Sequence, residues 1–284
     1  MNILVTGANG QLGSELRKIS GNFPDERFFF TDVAELDITN PVVINDFFEK
    51  NGIQNVINCA AYTAVDKAES DEQTATLINA TSVAHLAKAC SKTDATLIHI
   101  STDYVYDGRS YQPYSEEHPT SPVSVYGRSK LAGEKEALTT PKSVVIRTSW
   151  LYSSFGNNFV KTMLRLGKER ETLNVVFDQV GTPTYAADLA QAIMLIITQT
   201  KQNKLIRGVF HYSNEGVCSW YDFAHEIMQQ AGLKCTVKPV ETKEYPTPAT
   251  RPLYSVLNKT RIKEIYGLKI PHWKDSLIRC LAEM

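Results

Sequence analysis

Two hydrophobic rhythms alternate along the first two-thirds of this chain. Short, mostly apolar runs occupy residues 2–6, 27–31, 54–59, 96–101, 143–147 and 173–177. Between them, residues 12–19, 41–50 and 74–91 carry apolar side chains at helical spacing. Pro41 after Asn40 suits a first helical position, where its missing N–H costs nothing. Runs such as Val56-Ile57-Asn58-Cys59-Ala60 are mostly apolar, as strands covered on both faces should be. Strand–helix alternation of this kind predicts an α/β fold with a parallel sheet between two helical layers.

The last third reads differently. Residues 219–231 predict a helix capped by Ser219, and a segment containing Pro239, Pro246, Pro248 and Pro252 follows. Two short helical patterns close the chain. No Gly/Ser-rich linker, repeat or low-complexity tract separates this part. We therefore expect residues 1–150 to form the sheet core. Residues 151–284 are expected to complete the sheet and build most of a smaller lobe packed on it.

Composition narrows the function. Thirty basic residues against 31 acidic ones give a net charge of −1, without the basic excess of a duplex nucleic-acid binder. Cys59, Cys90, Cys218, Cys235 and Cys280 form no C-x-x-C pair and no zinc-ligand spacing, which suits free thiols in a reducing compartment. The start, Met1-Asn2-Ile3-Leu4-Val5, has neither the basic nor the long apolar segment of a signal peptide. No apolar run approaches the roughly 20 residues of a membrane span. The expected location is the cytoplasm, with no nucleic-acid or membrane partner.

The first strand runs into Gly7-Ala8-Asn9-Gly10-Gln11-Leu12-Gly13 and then a helix. Glycines there permit positive φ and close approach of a phosphate, and the helix start offers free N–H groups. The spacing is G-x-x-G-x-x-G, so its place between first strand and first helix carries the reading. It points to a pyrophosphate site of a Rossmann-type doubly wound sheet. Asp32 ends the second strand, nineteen residues past Gly13, where a carboxylate binds the adenosine ribose. It repels a 2′-phosphate, and no Arg or Lys lies between Thr31 and Pro41. NADH is therefore expected over NADPH, although a basic residue from elsewhere can still reach a phosphate. Asp37 is a second acid on the adenine side.

Tyr126-Gly127-Arg128-Ser129-Lys130 places a phenol and an ammonium one helical turn apart. A nearby cation favours phenolate and lowers the ordinary tyrosine value of about 10. The tyrosine can then hand a proton to a substrate oxygen while hydride reaches its carbon. The fourth strand ends in Ser101-Thr102-Asp103-Tyr104, and a hydroxyl there can bond the same oxygen.

These elements resemble those of the extended short-chain dehydrogenase/reductases. Within that superfamily the chain is similar, over nearly its whole length, to the dTDP-4-dehydrorhamnose reductase family. The similarity also runs through 58–69 (Asn58-Cys59-Ala60-Ala61-Tyr62-Thr63 and onward), 101–108, 147–152 and 251–257. It implies a Rossmann core with a C-terminal substrate-binding lobe, an NADH or NADPH cofactor and a dTDP-sugar substrate. The implied reaction is reduction of the 4-keto group of dTDP-4-dehydro-L-rhamnose. Thr102, Tyr126 and Lys130 become the catalytic trio. Gly7, Gly10, Gln11, Leu12, Gly13, Asp32, Asp37, Ile38, Ala60, Ala61, Tyr62 and Thr63 join Tyr126 and Lys130 around the cofactor. Thr102, Asp103, Tyr126 and Trp150 face the sugar. Arg251 either pairs with the substrate diphosphate or is a surface arginine. Trp150 either packs on a sugar ring or is a partly buried aromatic.

Dehydratases of this superfamily carry an acid where Tyr104 stands here, so a reductase is expected rather than a dehydratase. Another nucleotide-sugar reductase or epimerase remains an alternative. So does a regulatory protein like the methionine adenosyltransferase β subunit, which resembles the same family. Some relatives hold Mg²⁺ at a subunit contact. Glu15 suits such a site, but other acids do not map clearly, and no metal is carried over. The resemblance also admits a homodimer.

Overall fold

The computed structural model describes residues 1–202 and 204–284. The strands are β1 (Asn2–Thr6), β2 (Arg27–Thr31), β3 (Asn55–Asn58), β4 (Thr96–Thr102), β5 (Ser143–Thr148), β6 (Thr172–Val176), β7 (Gly208–His211) and β8 (Thr236–Val240), beside shorter two-residue pairings. The helices that matter here are α1 (Gln11–Ile19), α2 (Pro41–Asn51), α3 (Ser82–Thr93), α4 (Val125–Ala137), α5 (Phe159–Glu169), α6 (Ala186–Thr200), α7 (Trp220–Gln230), α8 (Thr260–Tyr266) and α9 (Trp273–Leu281).

The central sheet has the order β7-β5-β4-β3-β1-β2, and all neighbours run parallel. The chain leaves β1 toward β2, then returns to the other side of β1 for β3. That reversal opens a crevice at the carboxyl ends of β1 and β3, where open α/β sheets bind ligands. Side chains alternate across the pleat. Ile3, Val5, Ile57, Ile98, Val144 and Ile146 pack with Leu12, Leu16, Leu189, Ile193 and Ile262 from α1, α6 and α8. Leu4, Val56, Leu97 and Val145 pack with Ile44, Phe48, Val83, Leu86 and Ala137 from α2, α3 and α4. Both faces are apolar, which is why these strands lack a polar alternation.

A second core lies outside the sheet. β6 pairs parallel with β8. Val160, Met163, Phe223, Ile227 and Leu277 of α5, α7 and α9 pack with Leu173 and Val237 from this pair. Residues 173–177, read from the sequence as a strand run, thus supply a strand of this outer pair. The sixth central strand is instead β7, whose four residues are too short to show a pattern. The helical stretch expected at 74–91 is also interrupted. A wide π-turn, Leu77–Thr81, sits between Glu72–Thr76 and α3. Such turns cluster at functional sites, and this one aims Asn79 inward.

A buried ionic network ties α4 to the sheet. Arg147 Nε and Nη2 donate to the two carboxylate oxygens of Glu134 at 2.9 and 2.7 Å. Ser101 Oγ donates to Glu134 Oε1 at 2.5 Å, and Arg147 Nη1 donates to the Tyr106 hydroxyl at 2.6 Å. The side chains of Arg147 and Glu134 are 5% and 2% exposed, so removing one strands the other's charge away from water. Glu134→Ala is expected to cost about 3–5 kcal/mol of unfolding free energy. Urea denaturation of the variant against the parent measures it; a difference below about 1 kcal/mol would contradict this account.

Candidate active site

At the carboxyl end of β1, Gly7 takes φ +62°. A Cβ there would lie 2.6 Å from the Ala60 backbone nitrogen, and one at Gly13 would lie 2.5 Å from Ala8 Cα. Only glycine lets the β1 turn, the β3 end and α1 close together this tightly. Gly10 caps α1 without a side-chain hydrogen bond, so the first-turn N–H groups stay available. They open on a cavity of about 800 Å³ whose lining includes Gly7, Gly10, Gln11, Leu12, Gly13, Asp32, Asp37 and Ile38. Asp32 accepts backbone N–H bonds from Asn9 at 3.1 Å and Val33 at 2.9 Å, one on each carboxylate oxygen. Thr39 donates to Asp37 through backbone and hydroxyl, and these bonds hold the Asp37 carboxyl below its usual range. Among the described residues, Lys130 is the sole basic one lining the cavity.

The same cavity continues past Ala60, Ala61 and Thr63 to Thr102, Asp103, Tyr104, Tyr126, Lys130 and Trp150. Ser124 caps α4 by accepting the Gly127 N–H, and the helix starts with Tyr126 at the cavity wall. Lys130 is 1% exposed, and its Nζ donates to the Ile100 carbonyl at 2.6 Å. Burial pulls its ammonium down to about 8, against opposing pulls from Glu134 and Cys59. Burial pushes the Tyr126 phenol up; the Thr102 hydroxyl pulls it down, and Asp103 and Tyr104 add to the rise. The Lys130 ammonium turns to the Ile100 carbonyl. The expectation of a depressed tyrosine is thus corrected: with the protein's own groups, Tyr126 keeps its proton at neutral pH.

Thr102 Oγ1 donates to Asp103 Oδ1 at 2.9 Å. Asp103 Oδ2 is buried and has no partner among the described residues. Burial raises the Asp103 carboxyl to about 6, with the Thr102 and Ser255 hydroxyls opposing. Tyr104 meets Tyr126 edge-on, with ring centroids 5.5 Å apart.

Tyr62 and Arg251 lie outside the lining. The Tyr62 hydroxyl donates to Asp71 at 3.1 Å, and its backbone is bracketed by Asn79 of the π-turn. Arg251 donates to Asp66 Oδ2 at 2.5 Å and to the Tyr104 hydroxyl at 3.1 Å. It is a partnered residue beside the cavity rather than a free surface group. Asp66, within the 58–69 segment and read from the sequence only as a helix-capping or surface residue, is its anchor. Sequence reasoning also missed Asn79 and Trp220. Asn79 donates to Ser129 Oγ on α4 at 3.0 Å. Trp220 lines the cavity from α7. Neither sits in a recognisable spacing, so no local signal marks them.

Fold and site together define a dinucleotide-binding oxidoreductase of the extended short-chain dehydrogenase/reductase class. The family model described as RmlD substrate binding domain matches residues 1–284. A dTDP-4-dehydrorhamnose reductase from Aggregatibacter actinomycetemcomitans is 40% identical, covering 99% of each chain. The crystal structure of a dTDP-4-dehydrorhamnose reductase from Clostridium acetobutylicum superposes with a TM-score of 0.94 at 44% identity, covering 100% of both chains. One from Bacillus anthracis, solved in complex with NADP, gives 0.92 at 40% identity, covering 100% of this chain and 99% of that one. The chain belongs to the RmlD family of dTDP-4-dehydrorhamnose reductases. No helix among the described residues is long and apolar enough to cross a membrane.

The Asp103 shift has a measurable sign. The folded protein holds this proton more tightly than the unfolded chain, so this group's contribution to stability is lost as pH rises from about 4 through about 6. Asp103→Asn removes that dependence. The stability of the variant relative to the parent is expected to rise by about 2 kcal/mol between pH 4.5 and 7.5. Thermal or urea unfolding at the two pH values tests it, and a pH-independent difference would show that Asp103 titrates normally.

Proposed function

We propose that this protein reduces the 4-keto group of dTDP-4-dehydro-L-rhamnose to give dTDP-L-rhamnose, with Tyr126 as general acid. The observation that carries the reading is the convergence of Thr102, Tyr126 and Lys130 on one cavity that also holds the glycine turn and Trp150. The residues fit a dinucleotide. The uncapped start of α1 suits the pyrophosphate, and Asp32 keeps lone pairs for the ribose hydroxyls. Asp37 and Ile38 would hold the adenine, and Ala60, Ala61 and Thr63, which line the same cavity, would flank the path to the reacting end. Lys130 spends one N–H on Ile100 and keeps two for the nicotinamide ribose. Bound NADH or NADPH supplies the hydride to C4.

The protein's share is proton and position. Tyr126, protonated because it is buried, donates to the 4-oxygen as negative charge develops there. Thr102 turns its hydroxyl from Asp103 toward the same oxygen. Asp103 Oδ2, buried without a partner, accepts a sugar hydroxyl. Trp150 packs on the sugar ring. Arg251 takes the substrate diphosphate in exchange for Asp66, a bidentate match for guanidinium. Tyr104 brings a phenol held by Arg251 where a dehydratase needs a carboxylate, which supports simple reduction.

Two measurements test this reading. Tyr126→Phe keeps the ring and loses the proton; kcat for NADH oxidation with enzymatically made dTDP-4-dehydro-L-rhamnose is expected to fall about 10² to 10⁴-fold. Unchanged turnover in a folded variant would take Tyr126 out of the chemistry. Wild-type protein without turnover that binds another protein tightly would favour a regulatory role. For the cofactor, Asp32 and the lack of a second basic lining residue predict a higher kcat/KM with NADH than with NADPH. The NADP complex of the Bacillus anthracis relative points to a modest ratio. Equal values would show that Asp32 does not discriminate.

A further inference from the structure

Trp150 and Trp220 lie face to face at the substrate end of the cavity. Their ring centroids are 3.6 Å apart and their planes differ by 8°. Both rings line the cavity, yet they come from different parts of the chain. Trp150 follows β5 of the sheet, and Trp220 opens helix α7 of the second lobe.

Trp150 is also conformationally unusual. Its φ is +50°, in the left-handed region that side chains other than glycine rarely occupy. A residue stays there only when its surroundings hold it. Two contacts do so. Close to the indole lies Gly181, where any Cβ would come within 2.7 Å of Trp150 Cε2. Over its face lies Trp220, backed in turn by Phe159 at 4.6 Å between centroids. Trp220 is itself placed by the reciprocal cap of α7, in which Ser219 and Asp222 bond each other's side chain and backbone.

An indole has two faces. Trp220 occupies one of them, so a sugar can stack only on the other. We propose that Trp220 is a positioning residue for the sugar nucleotide: it withdraws one face of Trp150 from solvent and fixes the other toward the substrate. This rests on the reading of Trp150 as the sugar's platform. Among the described residues no hydrogen bond joins the pair to the glycine turn or Asp32, so cofactor binding is expected to be indifferent to it. The assignment also makes sheet and lobe joint owners of substrate affinity, because a shift of α7 would move the ring that sets Trp150.

The test separates sugar from cofactor. In Trp220→Ala, KM for dTDP-4-dehydro-L-rhamnose is expected to rise about tenfold, the size of a lost aromatic stack. KM for NADH should stay within about twofold of the parent, well short of that tenfold effect. Trp220→Phe keeps an aromatic face and should recover most of the loss. Binding of dTDP-L-rhamnose, followed by tryptophan fluorescence without turnover, should weaken by the same factor in the alanine variant. Should that variant prove unstable, the phenylalanine variant and a Trp220→His variant carry the comparison, with histidine expected between the other two.

A folded Trp220→Ala protein with parental KM and parental product affinity overturns the proposal. So does a uniform loss in which both KM values rise together, since that marks a merely structural residue. Wild-type protein that neither turns over nor binds the dTDP-sugar overturns the functional reading, and this inference with it. Wild-type activity alongside an indifferent Trp220 overturns this inference alone.

Discussion

Everything at the cavity depends on how closely helix α4 lies against the sheet. Two of its positions are glycines for that reason. A Cβ on Gly127 would come within 2.3 Å of the Tyr104 carbonyl oxygen, and one on Gly133 within 2.0 Å of the Asn79 carbonyl oxygen. Removing those two methyls lets α4 settle on the loop after β4 and on the π-turn. Tyr126, Lys130 and Glu134 then stand at one-turn intervals on the inward face. Each meets a different element: the cavity, the Ile100 carbonyl and the Arg147 guanidinium.

Close packing also sets the chemistry. Water is excluded around α4, so ionisation is costly for every group that is not paired. Glu134 is paired with Arg147. Lys130 meets only a carbonyl and is drawn down to about 8. Tyr126 retains its proton, and Asp103 is raised to about 6. One physical cause, desolvation, therefore raises both the Tyr126 phenol and the Asp103 carboxyl. A tyrosine with its proton secured suits a reductase, whose acid must be loaded when hydride arrives.

The two cores divide the work. The sheet and its helical layers build the end of the cavity proposed for the dinucleotide, where glycines and backbone N–H groups dominate. The outer core carries aromatic rings to the other end, with Phe159, Trp220 and Phe223 packed behind Trp150. Arg251 and Asp66 join the late proline-rich segment to the short helix Val65–Ala68 after β3. The proposed substrate contacts are thus drawn from several distant stretches of chain, whereas the proposed cofactor end is largely built from the early βα units.

How much was legible in the sequence follows from the range of the forces involved. Strand–helix alternation, the glycine turn, Asp32 and the Tyr126–Lys130 spacing are local, because each depends on neighbours within a few residues, so the chain declares them directly. β1 and β2 came out at their expected bounds, and the other early strands within a residue or so at each end. Nonlocal features left no such mark. β7 completes the sheet only because β5 offers it an edge. Asn79 matters only because a π-turn brings it under α4, and Trp220 only because the lobe folds back onto Trp150. The direction of the Tyr126 shift belongs to the same group. Sequence spacing could place an ammonium one turn away, but burial and the competing Ile100 carbonyl exist only once the chain has folded. The sequence alone determined which chemistry-bearing residues share a turn or a helix face. Tertiary structure decided which of them meet water, which meet each other, and therefore which hold their protons.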